Sequence, residues 1–562
     1  MFNFGVIVGK LFGYIAIPLF SYLVAGALVK FLFNLAGFPR MFSDVAGGGA
    51  GLLVAGFIIY RRMEGNSRAE IQTASQVTKT GIKVKEYVFG LKTSKGLIKI
   101  TNPFAGILVA AGPGAGKSFS VIEPIITQAV EKGFTGLIYD FKFPTFARVV
   151  NAATKNEKVN KYYINFDDLS RTHRVNPIHP DIIVTKSHAG SAAEAVMKNL
   201  IKGEDNFFSD NATAYLGGII WFLREEYPQF CTLPHVMRLA AQPVKQVLPL
   251  ICQNEEVATS VASIKTAVDE GAGKQLAGVI STLQNALGKI NIRSVVYVLS
   301  GNDFTLDLNN PDNPKILVIG NNPDLRSVYG PVLALIVTTT IKKLNQKGKL
   351  DSLVVLDEAP TLFIPDFSTL PATGRENKIV TLAGVQDFSQ LEEMYGQHQK
   401  DAILNTLSNR FYGRMPHEPS AQYVVRIWGK EYVEQRSQSV GQARLNEVSN
   451  TKSNSYSLIN RDRVTVQEVT DLKKGEFFGQ IVESDVSYLR TQFEPEPIDR
   501  KEIESFNTVT DEEVKANYSR ISKEIKSLLA SQEMPKVVPV LSTSTKKPKV
   551  EDEDEDEDED EF

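Results

Sequence analysis

The sequence predicts an α/β fold that is interrupted by an inserted all-α domain and preceded by a two-helix transmembrane hairpin. Three observations lead there. Short apolar runs rich in branched residues, GILVAA at 106–111 and LVVL at 353–356, end in polar loops, as buried parallel strands do. Between them, residues 170–292 lose their strand signals and show helical periodicity. Near the amino terminus, two long apolar stretches carry no charge.

Composition bounds the class. The chain has 562 residues, 43% hydrophobic and 23% charged, enough for several cores and unlike a disordered or collagenous polypeptide. The formal charge of −3 combines two opposite bodies. The last twelve residues, EDEDEDEDEDEF, hold eleven acidic groups; the other 62 basic and 54 acidic residues give residues 1–550 a charge of +8. Two cysteines, Cys231 and Cys252, exclude a disulfide framework and fit a reducing compartment. Neither has a CxxC partner, and with six scattered histidines a zinc site is not expected.

The hairpin comes first. Leu11 to Val29 is nineteen uncharged residues, long enough to cross about 30 Å of hydrocarbon. Val45 to Tyr60 adds sixteen more, a short span that snorkelling or bilayer thinning accommodates, with Gly47 and Gly51 as a small-xxx-small pair. Lys30 to Asp44 is too short to hold a domain. Arg61, Arg62, Arg68, Lys79, Lys83 and Lys85 crowd the exit of the second span, against Lys30 and Arg40 between the spans. The positive-inside rule places residues 61–562 and, with Lys10, the amino terminus in the cytoplasm. A cleaved signal peptide fits poorly, because the apolar core is too long and a second span follows.

The next element is a strand, a glycine loop and a helix: GILVAA, then GPGAGKS at Gly112 to Ser118, then FSVIEPIITQAV, read as helical despite Pro124. That context is the one a P-loop requires. Glycines let backbone N–H groups turn around phosphate oxygens, and the helix amino terminus adds positive dipole. Gly112, Pro113, Gly114, Ala115, Gly116, Lys117, Ser118 and Phe119 are the expected nucleotide-binding run, Lys117 reaching the β- and γ-phosphates and Ser118 reaching Mg²⁺. Ala111 stands where the strict pattern has glycine.

The partner motif is LVVLDE, Leu353 to Glu358. Asp357 is expected to hold the Mg²⁺ shell and Glu358 to polarise water; ATP and Mg²⁺ are the expected cofactors. Lys117 and Asp357 are 240 residues apart, so something folded is inserted. GLIYD (136–140), PTFARVVNAAT (144–154) and KYYINF (161–166) continue the α/β pattern; KILVIG (315–320) returns to it, followed by a long helix from Val328. IVTLAGVQ (379–386) is a further strand, placing Gln386 at a carboxyl end where ligands of parallel sheets bind. Gln386 is expected to sense the γ-phosphate or orient water. Arg375 is the expected arginine finger for a neighbouring subunit, with Arg410 and Arg414 as rivals.

These residues make the chain resemble the type IV secretion coupling proteins, the TraG/TraD-like conjugation ATPases. The resemblance rests on the amino-terminal hairpin, AGPGAGKS, YDFK (139–142), RVNPI (174–178) and NFFSDNATAYL (206–216). It continues through residues 354–396, from VVLDEAPTLFIPDFSTLPATGREN to QDFSQLEEMYG, and RDRVTVQEVTDLKKGEFFGQI (461–481), covering roughly residues 10–490. The chain departs at Ala111, at Phe141–Phe143 where the family shows Pro and Gly-Glu, and at the Ala-Pro after Asp-Glu. The resemblance implies a RecA-like P-loop NTPase core and a homo-hexameric ATPase in the bacterial inner membrane. It also implies partners: a relaxase or relaxosome, single-stranded DNA or protein substrate, and type IV channel components. The +8 body charge lends DNA binding little independent support.

The expected divisions are 1–62 for the hairpin, 63–169 and 293–493 for the nucleotide-binding core, 170–292 for the insert, and 494–562 for the carboxyl end. There TDEE at Thr510 opens a helix as a capping box, with Val514, Ile521, Ile525 and Leu528 on one face. A linker and the acidic run 551–562 follow; mutual repulsion keeps the run unfolded, and its charge suits a basic partner. Two other functions share parts of this pattern. An FtsK-like double-stranded DNA translocase usually carries more spans, a long linker and a winged-helix reader. A non-catalytic docking platform has no need of Glu358. LSGND at 299–303 is not an ABC-transporter signature.

Overall fold

The computed structural model describes residues 17–37, 39–41, 44–46, 87–153, 158–201, 206–440, 452–484 and 488–533. A small antiparallel hairpin, β1 (Phe89–Thr93) and β2 (Gly96–Ile100), precedes the main sheet. The main sheet contains β3 (Ile107–Ala110), β4 (Thr135–Asp140), β5 (Asn160–Ile164), β6 (Lys315–Gly320), β7 (Ser352–Leu356), β8 (Ile379–Val385) and β9 (Asn409–Tyr412). All seven run parallel, in the order β9-β3-β8-β7-β4-β6-β5. A long two-stranded ribbon, β10 (Lys430–Val440) and β11 (Lys452–Asp462), stands apart from the sheet. The chain then returns antiparallel along the β9 edge through β12 (Glu476–Gln480) and β13 (Tyr488–Gln492), so the finished sheet is mixed and nine-stranded.

Side chains of each parallel strand alternate between two cores, as a sheet covered on both faces requires. Ile107 and Val109 of β3, and Leu353 and Val355 of β7, pack with the helix Glu123–Glu131 that follows the P-loop. Leu108, Ala110, Val354 and Leu356 face the opposite core, which is continuous with the helical insert. Helices run through the insert from Lys186 to Leu299, past the expected boundary at 292, with no strand among the described residues. Gly218, mid-helix in Phe207–Glu226, lets that buried helix approach its neighbours closely; a Cβ there would lie 3.2 Å from Val261 Cγ1.

Pro124 has a consequence that the helical reading of 119–130 missed. Proline cannot donate to the carbonyl four residues back and its ring clashes there. The first turn therefore widens into a π-turn, Ser118–Ile122, with the Glu123 N–H bonded to the Ser118 carbonyl five residues back, before the α-helix Glu123–Glu131 begins.

The first expected span is helical over Ile17–Leu35, taking in Lys30, so the helix runs past the expected end at Val29. Lys30 pairs with Asp44. No helix among the described residues is long and apolar enough to cross a membrane. The second expected span, apart from its first two residues, and the acidic run 551–562 lie outside the described residues.

The helix opened by the Thr510 capping box, Asp511–Glu533, folds back onto the insert. Thr510 Oγ1 accepts from Glu513 N at 3.3 Å, and Glu513 Oε2 accepts from Thr510 N at 3.0 Å. Ile521, Ile525 and Leu528 are buried, each contributing about 2 kcal/mol. His235 of the insert lies 2.9 Å from Glu524 and 2.6 Å from the Thr232 hydroxyl. Burial pushes the His235 imidazole below its usual range, against the pull of Glu524. Burial alone would raise the Glu524 carboxyl, but hydrogen bonds from His235 and Arg520 outweigh it and hold the group low. Both folded-state values are depressed, so both groups stabilise the docked helix above their unfolded pKa values and lose that contribution as pH falls. Limited proteolysis is therefore expected to release the helix 511–533 progressively faster as pH drops from 7 to 4.

Candidate nucleotide-binding site

β3 ends at the P-loop, whose shape depends on distant backbone. Gly112 N donates to the Arg414 carbonyl at 2.8 Å, and Gly475 N donates to the Ala115 carbonyl at 2.8 Å. The loop is thus held by chain segments some 300 and 360 residues further on. Gly114 (φ 73°) and Gly116 (φ 98°) occupy the left-handed region that side chains avoid. Ala111 is accommodated by a complementary glycine: a Cβ at Gly413 would lie 2.8 Å from the Ala111 methyl and 2.9 Å from the Phe477 ring. Gly413→Ala is accordingly expected to cost about 1–3 kcal/mol by overpacking, read as a lowered denaturation midpoint.

The sheet order brings the two motifs together. β8 lies between β3 and β7, so Gln386, at the end of β8, sits between the P-loop and the Asp357–Glu358 pair. Lys117, only 8% exposed, donates to the Asp357 carbonyl and to Glu358 Oε2, both at 2.9 Å. Gln386 donates its side-chain amide to the same Glu358 oxygen at 2.7 Å and its backbone N–H to Glu358 Oε1 at 3.1 Å. Glu358 is therefore buried, ion-paired and fixed in orientation. A lysine amine and a glutamine amide converge on one carboxylate.

Ser118 Oγ and Asp357 Oδ1 are 3.5 Å apart. Adjacent oxygens around an octahedral Mg²⁺ lie about 2.9 Å apart, so these two fit the ion after a small adjustment. Burial pushes the Asp357 carboxyl up; Lys117 opposes this and Glu358 adds to it, an arrangement that a divalent cation would relieve. Asp140, beside Asp357 in the β4–β7 register, is fully buried and its carboxyl is pushed up to about 7 by burial and by Asp357. Asp140 Oδ2 accepts from the backbone N–H groups of Phe146 (2.7 Å) and Ala147 (3.2 Å), which fixes the start of the helix Thr145–Ala152.

Pro113, Gly114 and Phe119 are exposed at the mouth of the site, while Ala115 is buried within it. Arg375 is not brought to the phosphate site of its own chain. It precedes the amino end of β8, about 20 Å of strand from Gln386, and forms an exposed 2.8 Å ion pair with Glu483. Arg410 is committed to the backbone, donating to the carbonyls of Leu407 (2.8 Å) and Leu404 (2.9 Å). Arg414 is exposed beside the loop that its own carbonyl holds. The sequence reading missed Gly413 and Gly475, whose contributions are absence of bulk and a backbone bond; the one signal in the sequence is the glycine of KKGEF itself, which suits the positive φ (81°) that Gly475 adopts.

Residues 64–482 match the family model for type IV secretory system conjugative DNA transfer. The coupling protein TraD of Escherichia coli (strain K12) is 26% identical over 127 residues, 22% of this chain and 18% of TraD, so the match spans less than a fifth of that relative. Among solved structures, the plasmid coupling protein TrwB in complex with a non-hydrolysable ATP analogue, ADPNP, superposes with a TM-score of 0.58. It is 13% identical, over 78% of this chain and 96% of that one. TrwB in complex with ADP and Mg²⁺ gives a TM-score of 0.55 at 14% identity, over 75% and 92%. The shared fold is an α/β nucleotide-binding core with a large sheet and helical parts.

Proposed function

The chain belongs to the type IV secretory system conjugative DNA transfer family, and from that premise we propose that it is a coupling ATPase. It hydrolyses ATP to drive relaxase-bound single-stranded DNA, or a protein substrate, into a secretion channel. The observation that carries this reading is the convergence of Lys117, Glu358 and Gln386 beside the Ser118–Asp357 pair, assembled from three strand ends. The nucleotide complexes of TrwB, which has the same fold, support ATP and Mg²⁺ as cofactors. A docking platform that merely binds nucleotide has no use for a buried carboxylate oriented by a glutamine.

In the mechanism, Lys117 exchanges its Glu358 partner for phosphate oxygens when nucleotide enters. That exchange releases one Glu358 oxygen, which polarises the attacking water, while Gln386 keeps the carboxylate in place and orients the water. Ser118 and Asp357 would hold Mg²⁺, which would supply neutralisation of the phosphate charge. Arg375 lies away from its own phosphates and can act only in trans, on a neighbouring subunit of a homo-hexameric ring.

The two-span hairpin anchors the ring in the inner membrane, with residues 61–562 in the cytoplasm. The basic exit of the second span supports that orientation, and the exposed Leu23, Val24, Leu28, Phe31 and Leu32 of the first helix support its contact with lipid. The divisions at 62, 169, 292 and 493 separate hairpin, core, insert, core and carboxyl end, and the acidic run 551–562 recruits a basic partner. Conjugative transfer tests the reading. Cells lacking this chain should lose transfer, the unsubstituted protein should restore it and Lys117→Ala should not; restoration by Lys117→Ala would refute an ATP-driven role.

A further inference from the structure

After β13 the chain does not leave the molecule. Residues 494–510 lie across the nucleotide core in an extended path with an anchor every few residues. Glu494 N donates to the Lys92 carbonyl at 3.0 Å, and Lys92 pairs with Glu496 at 3.0 Å. Arg500 then meets Glu123 at 2.5 Å. Glu502 pairs with Arg148 at 2.7 Å, and Asn151 donates to the Glu502 carbonyl at 2.7 Å. Phe506 N donates to the Ser170 carbonyl at 3.1 Å, and the Phe506 ring stacks on His173 at 4.4 Å. The path ends in the helix Asp511–Glu533, which is clamped to the insert by Ile521, Ile525 and the Glu524–His235 contact.

The Arg500 anchor differs from the others in where it lands. Glu123 is 3% exposed and is the residue at which the π-turn following the P-loop becomes an α-helix. Its backbone N–H reaches Ser118, a proposed Mg²⁺ ligand, and its carboxylate reaches Arg500. A buried carboxylate needs its partner, since a lone charge there is strongly disfavoured. The register of the π-turn sets where Lys117 and Ser118 point, so whatever fixes Glu123 also fixes the phosphate end of the helix. One continuous segment therefore holds the P-loop helix at one end and the insert at the other.

We propose that Arg500 is a positioning residue for the phosphate-binding loop, and that residues 494–533 are a strap transmitting nucleotide occupancy to the helical insert. The inference rests on the nucleotide-site reading above. Arg500 acts through Glu123 and touches no substrate. The strap makes the insert's attachment responsive to the P-loop without any contact between insert and phosphate.

Hydrogen exchange of the full chain in detergent, with and without Mg²⁺-ADPNP, tests it. In the unsubstituted protein, nucleotide should slow exchange in residues 112–123 and, several-fold, in 494–510 and 511–533. Arg500→Gln should weaken ADPNP binding about tenfold and abolish the response of 494–533, whereas Arg500→Lys, which keeps the charge, should preserve it. The Glu123→Gln/Arg500→Gln pair leaves no buried charge unpaired; it should bind ADPNP better than Arg500→Gln yet still lack the strap response, separating coupling from stability. Protection of the P-loop with no change in the strap would overturn the inference and leave the nucleotide site standing. An Arg500→Gln protein whose strap responds like the unsubstituted one would also overturn it. Absence of P-loop protection in the unsubstituted protein would remove the nucleotide-site reading, and this inference with it.

Discussion

Glu358→Gln is expected to lower ATP turnover by about 10²- to 10⁴-fold, the range over which a positioned general base acts, while ATP binds as well as before or more tightly. Lys117 is held 2.9 Å from Glu358 Oε2, so nucleotide must compete with that carboxylate for the ammonium. A neutral amide holds Lys117 less firmly, and phosphate oxygens gain what Glu358 gives up. The amide cannot take up charge as water is activated, so turnover falls although occupancy does not. Fold should persist, because glutamine is isosteric and Gln386 retains a side-chain partner at that oxygen. Fluorescent-nucleotide titration and single-turnover hydrolysis together check both halves. Loss of binding alongside turnover would mean that Glu358 supports the cradle and does not perform chemistry.

Lys117→Ala is expected to fail differently, at the binding step. Lys117 is the buried ammonium at the phosphate cradle, reaching across 240 residues of sequence to the backbone of Asp357. Its removal should weaken ATP binding at least tenfold and take hydrolysis to background, since the lysine contacts the β- and γ-phosphates in ground and transition state alike. It also leaves Glu358 buried with only Gln386 as a partner, at a cost of about 3–5 kcal/mol for an uncompensated charge. Thermal denaturation should show that cost as a lowered midpoint. The Lys117→Ala/Glu358→Gln pair should recover most of the stability and none of the hydrolysis, which separates charge burial from catalysis.

Side-chain chemistry at strand ends is legible in the sequence alone. GPGAGKS, LVVLDE and IVTLAGVQ each place a polar group just beyond an apolar run, and the fold gathers Lys117, Glu358 and Gln386 within hydrogen-bonding distance. The capping box at Thr510 and the apolar face of its helix were equally legible, since both are local patterns. Where that helix docks was not, because Ile521 and Ile525 say only that some apolar surface must cover them. The contacts of Gly112 and Ala115 with the backbone at Arg414 and Gly475 also left little trace, since a carbonyl or an N–H group is common to nearly all residue types. Pro124 did carry a signal for the widened turn, but a proline near a helix start is usually tolerated, so the π-turn shows only in the geometry. Arg375, expected to act on a neighbouring subunit, stands at the amino end of β8, away from the phosphates of its own chain, and nothing in its own sequence neighbourhood tells what a neighbour presents to it.

ATP hydrolysis by the full-length protein in detergent, with and without single-stranded DNA and beside Lys117→Ala, tests the central claim most directly. Turnover that rises with DNA and vanishes in Lys117→Ala is the predicted result. Nucleotide binding with no DNA-stimulated turnover in the assembled protein would contradict it, and would make the chain a platform and not a motor.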